Sequence, residues 1–357
     1  MDIPKKMKAA VLYDFNDVRI VERDVPEPGP EEVLVRVEAC GICGTDIKVV
    51  TQGMPKMPPM GDFIIGHEYS GVVVKTGETV DEFKEGDRVA VEVHKGCGRC
   101  KNCLLGDYTA CLNYGDLSKG HRANGLSCNG GFAQYAVNHV TTLYHLPDNI
   151  SFDESTIITT AGTSIFGIDK VGGYIVGDTV LVIGPGPIGL MTVQIAKALG
   201  AETVILSGTR DSRLELGKRL GADYTINVKN EDVKERVMEI TGGLGADLVL
   251  EGSGGDAALQ QSLECCRKGG KICILAFYKH PITADISIAV KNGMNIYTVR
   301  GEGNLSVGRA LSLMAQGKIT GKPLHTHSFP LDQLNSGFKT FVERIGGAMK
   351  VVIHPQE

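Results

Sequence analysis

Four cysteines within one short segment, "GCGRCKNCLLGDYTAC", could together bind a single metal ion. Cys97, Cys100, Cys103 and Cys111 are separated by two, two and seven residues. Four thiolates so close in sequence suit one tetrahedral zinc ion, and four protein ligands leave no open position for a substrate. The spacing therefore predicts either a structural zinc site, with any chemistry located elsewhere, or a zinc-binding module without chemistry.

A second, mixed set of metal-binding side chains lies earlier in the sequence. The segments "CGICGTD" (40–46) and "GHE" (66–68) supply Cys43, His67 and Glu68. Three protein ligands with an open fourth position are typical of catalytic zinc. Taken alone, Cys43 is equally consistent with a small buried residue of an apolar core, and His67 with a core histidine whose hydrogen bonds are satisfied. The four-cysteine cluster, together with the nucleotide motif described next, favours the metal site.

A glycine-rich turn, "GPGPIG", carries the spacing of a dinucleotide-binding loop. It comprises Gly184, Gly186, Pro187, Ile188 and Gly189, follows the apolar strand "TVLVI" and opens a helical segment. The glycines permit a tight turn and a close approach of a pyrophosphate. The helix N-terminus offers free N–H groups and a partial positive charge. Because strand and helix are both present, we predict dinucleotide binding rather than a merely structural turn.

The end of the next strand, "ILSGTRDSR", indicates which dinucleotide is bound. Sites for NAD usually place an acidic residue there for the ribose 2′-hydroxyl, but this chain has Gly208, followed by Thr209, Arg210 and Arg213. Arginine suits a 2′-phosphate because its planar fork matches phosphate oxygens. The sequence therefore favours NADP over NAD. In the alternative, the arginines are solvated charges at a helix start and Asp211 binds the ribose.

Composition limits the classes of protein to which the chain can belong. At 357 residues, with 42% hydrophobic and 22% charged residues, it has a globular composition and enough length for two domains. The net charge of −5 argues against a nucleic-acid partner. We find no signal peptide and no apolar run that would span a membrane. Ten cysteines without a secretory signal predict metal sites in a reducing compartment, here the cytoplasm.

The elements that must position these residues change character along the chain. Short β-branched segments separated by Pro, Gly and Asp, such as "EVLVRVEA" and "DRVAVEV", predict a β-rich first part. After about residue 155 six strands alternate with helices, from "TVLVIG" to "NIYTV". This alternation predicts an α/β domain with a doubly wound, six-stranded parallel sheet.

Taken together, the motifs resemble the zinc-dependent medium-chain alcohol dehydrogenase family. The resemblance covers essentially the whole chain and includes "GHEYSGVV", "GDRVAVE" and "LGAD", with the polyol (sorbitol-like) and threonine dehydrogenase branches most similar. It implies a GroES-like catalytic domain over 1–157 with 301–357, and a Rossmann domain over 158–300. It also implies that a lobe at about 94–115 holds a structural zinc ion, and that the protein is a homotetramer or homodimer.

The same resemblance implies roles for individual residues. Cys43 and His67 match the catalytic zinc ligands, and Glu68 matches a carboxylate that ligates zinc directly in the sorbitol-like branch. Thr45 matches the hydroxyl that accepts the alcohol proton. Two positions depart from the family. Thr160 aligns where relatives carry a Cys, Asp or Glu, so three protein ligands plus water or substrate are expected. Lys48 stands where many relatives have a relay histidine, so the proton is expected to leave through the ribose hydroxyls and Lys48, or directly to water.

These features predict a dehydrogenase that oxidises a secondary hydroxyl of a small polyol or sugar alcohol. Zinc lowers the pKa of bound water from about 16 to about 7, and the nicotinamide accepts the hydride. Arg300 aligns near the substrate of polyol dehydrogenases, although it fits cofactor contact nearly as well, and the low aromatic content of 6% favours a polar pocket. Threonine, a diol or a simple secondary alcohol is the alternative substrate. A non-catalytic NADP-binding redox sensor is the alternative of another class.

Overall fold

A computed structural model of the chain describes residues 2–357 and divides them into two compact units. The first unit contains the chain up to Thr159 together with Gly303–Leu311 and Gly321–Glu357. The second unit contains Thr160–Glu302 and Ser312–Thr320. The range Ser312–Thr320 differs from the predicted division, in which all of residues 301–357 belong to the first domain.

Strands are the main regular elements of the chain up to residue 159, as its short β-branched segments predict. Its strands are β1 (Lys6–Asp14), β2 (Asp17–Asp24), β3 (Glu32–Gly41), β4 (Phe63–Ile64), β5 (Glu68–Thr76), β6 (Arg88–Val91), β7 (His94–Lys95), β8 (Arg122–Ala123), β9 (Tyr135–His139) and β10 (Leu143–His145). Its helices are short, namely α1 (Gly44–Gln52), α2 (Lys101–Leu104) and α3 (Phe152–Ser155).

The middle of the chain alternates strands and helices. Its elements are α4 (Ile158–Lys170), β11 (Thr179–Ile183), α5 (Pro187–Ala198), β12 (Thr203–Gly208), α6 (Asp211–Arg219), β13 (Tyr224–Asn227), α7 (Val233–Ile240), β14 (Ala246–Glu251), α8 (Ala258–Cys265), β15 (Cys266–Ile274), α9 (Ser287–Asn292) and β16 (Asn295–Thr298). The C-terminal segment adds α10 (Ser306–Ala315), β17 (His325–Pro330), α11 (Leu334–Glu343) and β18 (Lys350–His354).

The first unit is built on a large sheet whose order is β10-β6-β5-β3-β18-β17, with β9 also paired to β3. Strands β2, β1 and β4 form a separate sheet, and β7 pairs with β8. The C-terminal strand β18 lies antiparallel to β3, with Val352 opposite Gly41. The last residues of the chain thus reach the strand that precedes Cys43. The core of this unit contains large side chains that are fully buried, including Phe63, Tyr69 and Phe132.

The second unit contains a six-stranded sheet in the order β13-β12-β11-β14-β15-β16, and every neighbouring pair is parallel. The strand order reverses between β11 and β14, which defines the doubly wound topology. Strands β11 and β14 are almost entirely buried, as expected when helices cover both faces of a parallel sheet. The predicted Rossmann-type sheet is confirmed. Within residues 2–357, no helix has the length and apolar character needed to cross a membrane.

Candidate active site and metal centres

The mixed set of metal-binding side chains comes together in the first unit. One ligand atom each from Cys43, His67 and Glu68 lies within 4.8 Å of the others. Cys43 immediately precedes α1, His67 immediately precedes β5, and Glu68 is the first residue of β5. Both of the latter are buried, and Cys43 is half-buried. A thiolate, an imidazole and a carboxylate at this spacing could hold a zinc ion with a position left open.

A fully buried carboxylate, Asp46, fixes two of these three ligands. Its Oδ1 lies 2.9 Å from Nδ1 of His67, and its Oδ2 accepts a hydrogen bond from the backbone N–H of Cys43 at 2.8 Å. With Nδ1 engaged by a carboxylate, Nε2 of His67 is the nitrogen left for a metal. Burial lowers the pKa of His67, but the charges of Asp46 and Cys43 outweigh burial and raise that pKa well above its usual value. A metal would therefore displace a proton from His67.

The carboxylate of Glu68 has two further partners that the sequence did not reveal. Its Oε2 forms a buried ion pair with Nζ of Lys350 on β18, and its Oε1 accepts a hydrogen bond from Thr159 Oγ1 at 3.4 Å. Burial lowers the pKa of Lys350, but Glu68 and Cys43 reverse this and raise it above its usual value. Lys350 is therefore a cation with 3% of its surface exposed. A Cβ at Gly41 would lie 3.1 Å from Lys350 Cδ, so this glycine leaves room for the pair.

The remaining residues predicted near this centre are spread over both units. Thr45 and Lys48 lie on α1 in the first unit, where Thr45 is half-buried and Lys48 is exposed. Thr160 is a buried residue of α4 and, like Arg300, belongs to the second unit. Thr159, the neighbour of the residue aligned from the sequence, donates a hydrogen bond to Glu68.

The four cysteines of the 96–111 segment form a second candidate metal centre. Their sulfur atoms all lie within 4.8 Å of one another. Two of the separations, Cys97 to Cys103 and Cys100 to Cys111, are both 3.9 Å. A tetrahedron with zinc–sulfur bonds of about 2.3 Å has edges of about 3.8 Å. The cluster therefore has the dimensions of a closed four-thiolate zinc site. All ten cysteines of the chain are free thiols.

Hydrogen-bond donors around this cluster favour the thiolate form that zinc requires. The side chain of Asn113 donates to Cys97 Sγ at 3.2 Å, and the backbone N–H of Cys103 donates to Cys100 Sγ at 3.5 Å. The backbone N–H of Arg99 and then Asn113 lower the pKa of Cys97 to about 5, whereas burial raises the pKa of Cys103 to about 12. One thiolate is thus already favoured without a metal, and zinc would deprotonate the others.

The glycine-rich turn in the second unit has the shape of a phosphate-binding loop. Gly184 has a φ of +101°, and a Cβ at Gly189 would lie 1.9 Å from the carbonyl oxygen of Gly184, so helix α5 can approach the strand only with glycine there. A Cβ at Gly186 would meet no atom within 4 Å, so the space beside it is open. Gly186 caps α5 without a side chain, and Pro187 is the first residue of the helix. The free N–H groups can bind an anion.

Gly208 at the end of β12 has a packing reason that the sequence alone did not show. A Cβ at this position would lie 2.2 Å from Cδ of Pro185, so no acidic side chain fits there. Thr209 is exposed, Arg210 caps α6, and Arg213 is mostly buried. The alternative ribose ligand, Asp211, accepts a hydrogen bond from Asn227 Nδ2 at 2.6 Å. This carboxylate is therefore already engaged by a side chain of the neighbouring strand.

Two family models match the chain, one in each part. Residues 29–148 match the alcohol dehydrogenase GroES-like domain, and residues 187–316 match the zinc-binding dehydrogenase domain. A sorbitol dehydrogenase of Bacillus subtilis (strain 168) is 32% identical over 355 residues, covering 99% of this chain and 98% of the relative. The chain belongs to the zinc-dependent medium-chain dehydrogenase family. The resemblance seen in the sequence, including its GroES-like domain, is confirmed.

Other relatives of this dehydrogenase show the range of its family. An L-threonine 3-dehydrogenase of Pyrococcus horikoshii is 36% identical over 341 residues, covering 93% of this chain and 94% of the relative. A solved structure described as a zinc-binding dehydrogenase from Sinorhizobium meliloti 1021, bound to NADP, superimposes with a TM-score of 0.87 at 28% identity. It covers 99% of this chain and 100% of that one. The chain is thus an oxidoreductase of the dehydrogenase type.

Proposed function

We propose that this dehydrogenase oxidises a secondary hydroxyl of a small polyol or sugar alcohol to a ketone and transfers the hydride to NADP. The observation that carries the proposal is the cluster of Cys43, His67 and Glu68, with Asp46 behind the histidine. A structural or sensory protein would not need this ligand set, because a closed four-cysteine site already serves stability.

In this proposal the residues of the first unit hold the reacting hydroxyl group. Cys43, His67 and Glu68 bind the catalytic zinc ion, which when bound acts as a Lewis acid that lowers the pKa of the substrate hydroxyl. Asp46 keeps His67 in the tautomer that presents Nε2. Thr45 accepts the hydroxyl proton, and Lys48, exposed on the same helix, or water takes it onward. The four cysteines 97, 100, 103 and 111 bind a second, structural zinc ion.

The residues of the second unit hold the dinucleotide. Gly184, Gly186 and Gly189 allow the pyrophosphate to approach the N-terminus of α5, next to Pro187 and Ile188. NADP is favoured over NAD because Pro185 leaves no room for an acidic side chain at position 208, where an NAD site usually has one. Thr209, Arg210 and Arg213 supply groups suited to a 2′-phosphate.

Substrate choice is proposed from Arg300 and from the relatives. A guanidinium group suits a substrate with several hydroxyl groups, and the relative from Bacillus subtilis is named for sorbitol. Threonine is the second candidate, favoured by the relative from Pyrococcus horikoshii at 36% identity. A diol or a simple secondary alcohol is the next candidate substrate.

The test is nicotinamide reduction by the purified zinc-loaded protein, with four- to six-carbon polyols, threonine and simple diols, each with NADP and NAD. We expect turnover with a polyol and a preference for NADP that falls in Arg210→Ala. Cys43→Ala should lose turnover while dinucleotide binding, measured by calorimetry, is retained. Turnover with threonine alone would replace the polyol by the second candidate. No turnover in the whole panel, with zinc and dinucleotide bound, would favour the non-catalytic redox sensor.

We also propose an oligomeric state and a cellular location for this dehydrogenase. We expect a homotetramer or homodimer, which light scattering during size-exclusion chromatography would measure. We expect a cytoplasmic location, because ten free thiols suit a reducing compartment.

A further inference from the structure

A buried carboxylate in the second unit has no part in the function proposed above. Glu251 is the last residue of β14 and has no exposed surface. It lies opposite Ile183, the last residue of β11, in the parallel register of these two strands. The pair thus occupies the carboxyl edge of the sheet at the point where the strand order reverses. Dinucleotides bind at this point in doubly wound sheets.

One oxygen of Glu251 closes the turn that follows the strand. Its Oε1 accepts hydrogen bonds from the backbone N–H of Ser253 at 2.6 Å, from Ser253 Oγ at 2.7 Å and from the backbone N–H of Gly254 at 2.9 Å. Three donors on one carboxylate oxygen hold the side chain in a single orientation.

The turn held in this way packs directly on the phosphate-binding loop. A Cβ at Gly184 would lie 2.6 Å from Cβ of Ser253, and the backbone N–H of Gly252 donates to the carbonyl of Ile183 at 2.9 Å. On its other side, a Cβ at Gly254 would lie 2.7 Å from the carbonyl oxygen of Phe277. The carboxylate is therefore fixed relative to the loop.

The negative charge of Glu251 is not neutralised by a neighbouring cation. No lysine, arginine or histidine of residues 2–357 forms an ion pair with it, and its Oε2 is buried. The polar group beside this carboxylate is the buried hydroxyl of Tyr278, which interacts with Glu251. Burial, and then the charge of Glu251 and a hydrogen bond with it, raise the pKa of Tyr278, so this phenol stays protonated and, being neutral, does not cancel the charge of the carboxylate. An unneutralised carboxylate in a buried position is costly for stability alone.

The topology indicates which half of the cofactor this charge acts on. The loop after β11 binds the pyrophosphate and the end of β12 binds the adenosine ribose, so β11 to β13 form the adenosine half. Strands β14 to β16 form the other half, which serves the nicotinamide. The nicotinamide ring carries a positive charge when oxidised and none when reduced. A fixed negative charge on β14 therefore stabilises the oxidised form selectively.

We propose that Glu251 is a positioning residue whose buried charge favours the oxidised dinucleotide over the reduced one, so that it biases the dehydrogenase toward binding the form that accepts a hydride. This inference rests on the proposed function, because it requires a nicotinamide dinucleotide in the second unit.

The test compares dissociation constants for oxidised and reduced cofactor in Glu251→Gln and in the unchanged protein. Both proteins are zinc-loaded and free of substrate. Calorimetry measures the dissociation constant of the oxidised cofactor, and the fluorescence of the reduced nicotinamide measures that of the reduced cofactor. Gln keeps the shape and an acceptor oxygen for the turn but removes the charge. We expect the ratio of the oxidised to the reduced dissociation constant to rise by on the order of fivefold.

Two control variants separate charge from structure. Asp247→Asn removes a carboxylate from the opposite end of the same strand, where Asp247 contacts Arg267, and should leave the ratio unchanged. Ser253→Ala weakens the turn without changing its charge, and should alter both constants by the same factor. Equal weakening of the binding of both cofactor forms in Glu251→Gln would overturn the role of Glu251 and leave the proposed function standing. A ratio of the two dissociation constants that stays within twofold of the original would do the same. An unchanged protein that binds neither dinucleotide would overturn the proposed function as well.

Discussion

Asp46 is a single carboxylate that contacts two neighbouring candidate metal ligands. It contacts the ring of His67 with one oxygen and the backbone of Cys43 with the other. Residues that orient ligands in this way commonly contribute 10- to 100-fold to metal affinity. Asn at position 46 can accept only one of the two hydrogen bonds, because its amide nitrogen is a donor.

We therefore expect Asp46→Asn to weaken zinc binding at the mixed centre by on the order of 10-fold or more. Competition with a chromophoric chelator would measure the affinity. The four-cysteine centre serves as the internal control, since its zinc should be released at the same chelator concentration in both proteins. Equal affinity at the mixed centre would show that Asp46 does not orient His67.

The ion pair between Glu68 and Lys350 is a second residue-scale feature with a measurable consequence. Both side chains are at most 5% exposed, and removing one partner of a buried pair leaves an uncompensated charge that costs about 3–5 kcal/mol. We expect Lys350→Met to destabilise the protein by about this amount, and Glu68→Gln with Lys350→Met to recover most of it.

A double-mutant cycle by urea unfolding would measure the coupling between these two residues. The cycle belongs in a Cys43→Ala background, so that a metal at the mixed centre cannot replace the lysine as the counter-charge of Glu68. Additive effects of the two substitutions would show that the contact contributes no coupling energy.

At the scale of elements, local motifs were predictable and contacts between distant elements were not. The strand, glycine turn and helix around Gly184 follow from spacing within a few residues. Lys350 lies 282 positions from Glu68. Its C-terminal strand, "MKVVIH", contains no motif that indicates a functional site. Only the pairing of β18 with β3 places that lysine at the centre. The packing of Gly208 on Pro185 was hidden for the same reason.

A further contact ties the same C-terminal strand to α3. Nε2 of His354, at the end of β18, lies 3.1 Å from Oδ1 of Asp153, whose other oxygen lies 3.6 Å from His325. The hydrogen bond to Asp153 raises the pKa of His354 against the effect of burial, and His354 lowers the pKa of Asp153. Glu357 adds to the raised pKa of His354.

The stability that this pair provides should depend on pH. The raised pKa of His354 makes its contribution complete below the unfolded value of about 6.5, and rising pH removes it through the folded pKa. The lowered pKa of Asp153 makes its contribution complete above about 3.9, and falling pH removes it. We expect His354→Gln to lower the free energy of unfolding by less than about 1 kcal/mol at pH 6 and by nothing at pH 9. The control is His327→Gln, which replaces a half-buried histidine on β17; a pH-independent loss in His354→Gln would contradict the pair.

At the scale of the whole molecule, the chain combines a β-rich unit that carries both candidate metal centres with a parallel-sheet unit that carries the phosphate-binding loop. The sequence predicted this division because strand and helix periodicities change near residue 155. The two candidate centres differ in their chemistry: one offers four cysteine thiols, and the other offers three mixed side chains. Their loss should therefore affect different properties of the molecule.

We expect two zinc ions per chain by elemental analysis, and one in each of Cys43→Ser and Cys100→Ser. Cys100→Ser should lower the melting temperature markedly, because a structural zinc contributes directly to folding and leaves three thiols clustered without a metal. Cys43→Ser should abolish turnover with little change in melting, because the buried ion pair of Glu68 with Lys350 persists without a metal. Scanning calorimetry and turnover measured on the same samples would test both expectations. A Cys100→Ser protein that melts as the unchanged one does would show that the four-cysteine centre is not structural, and would reopen the question of what its zinc does.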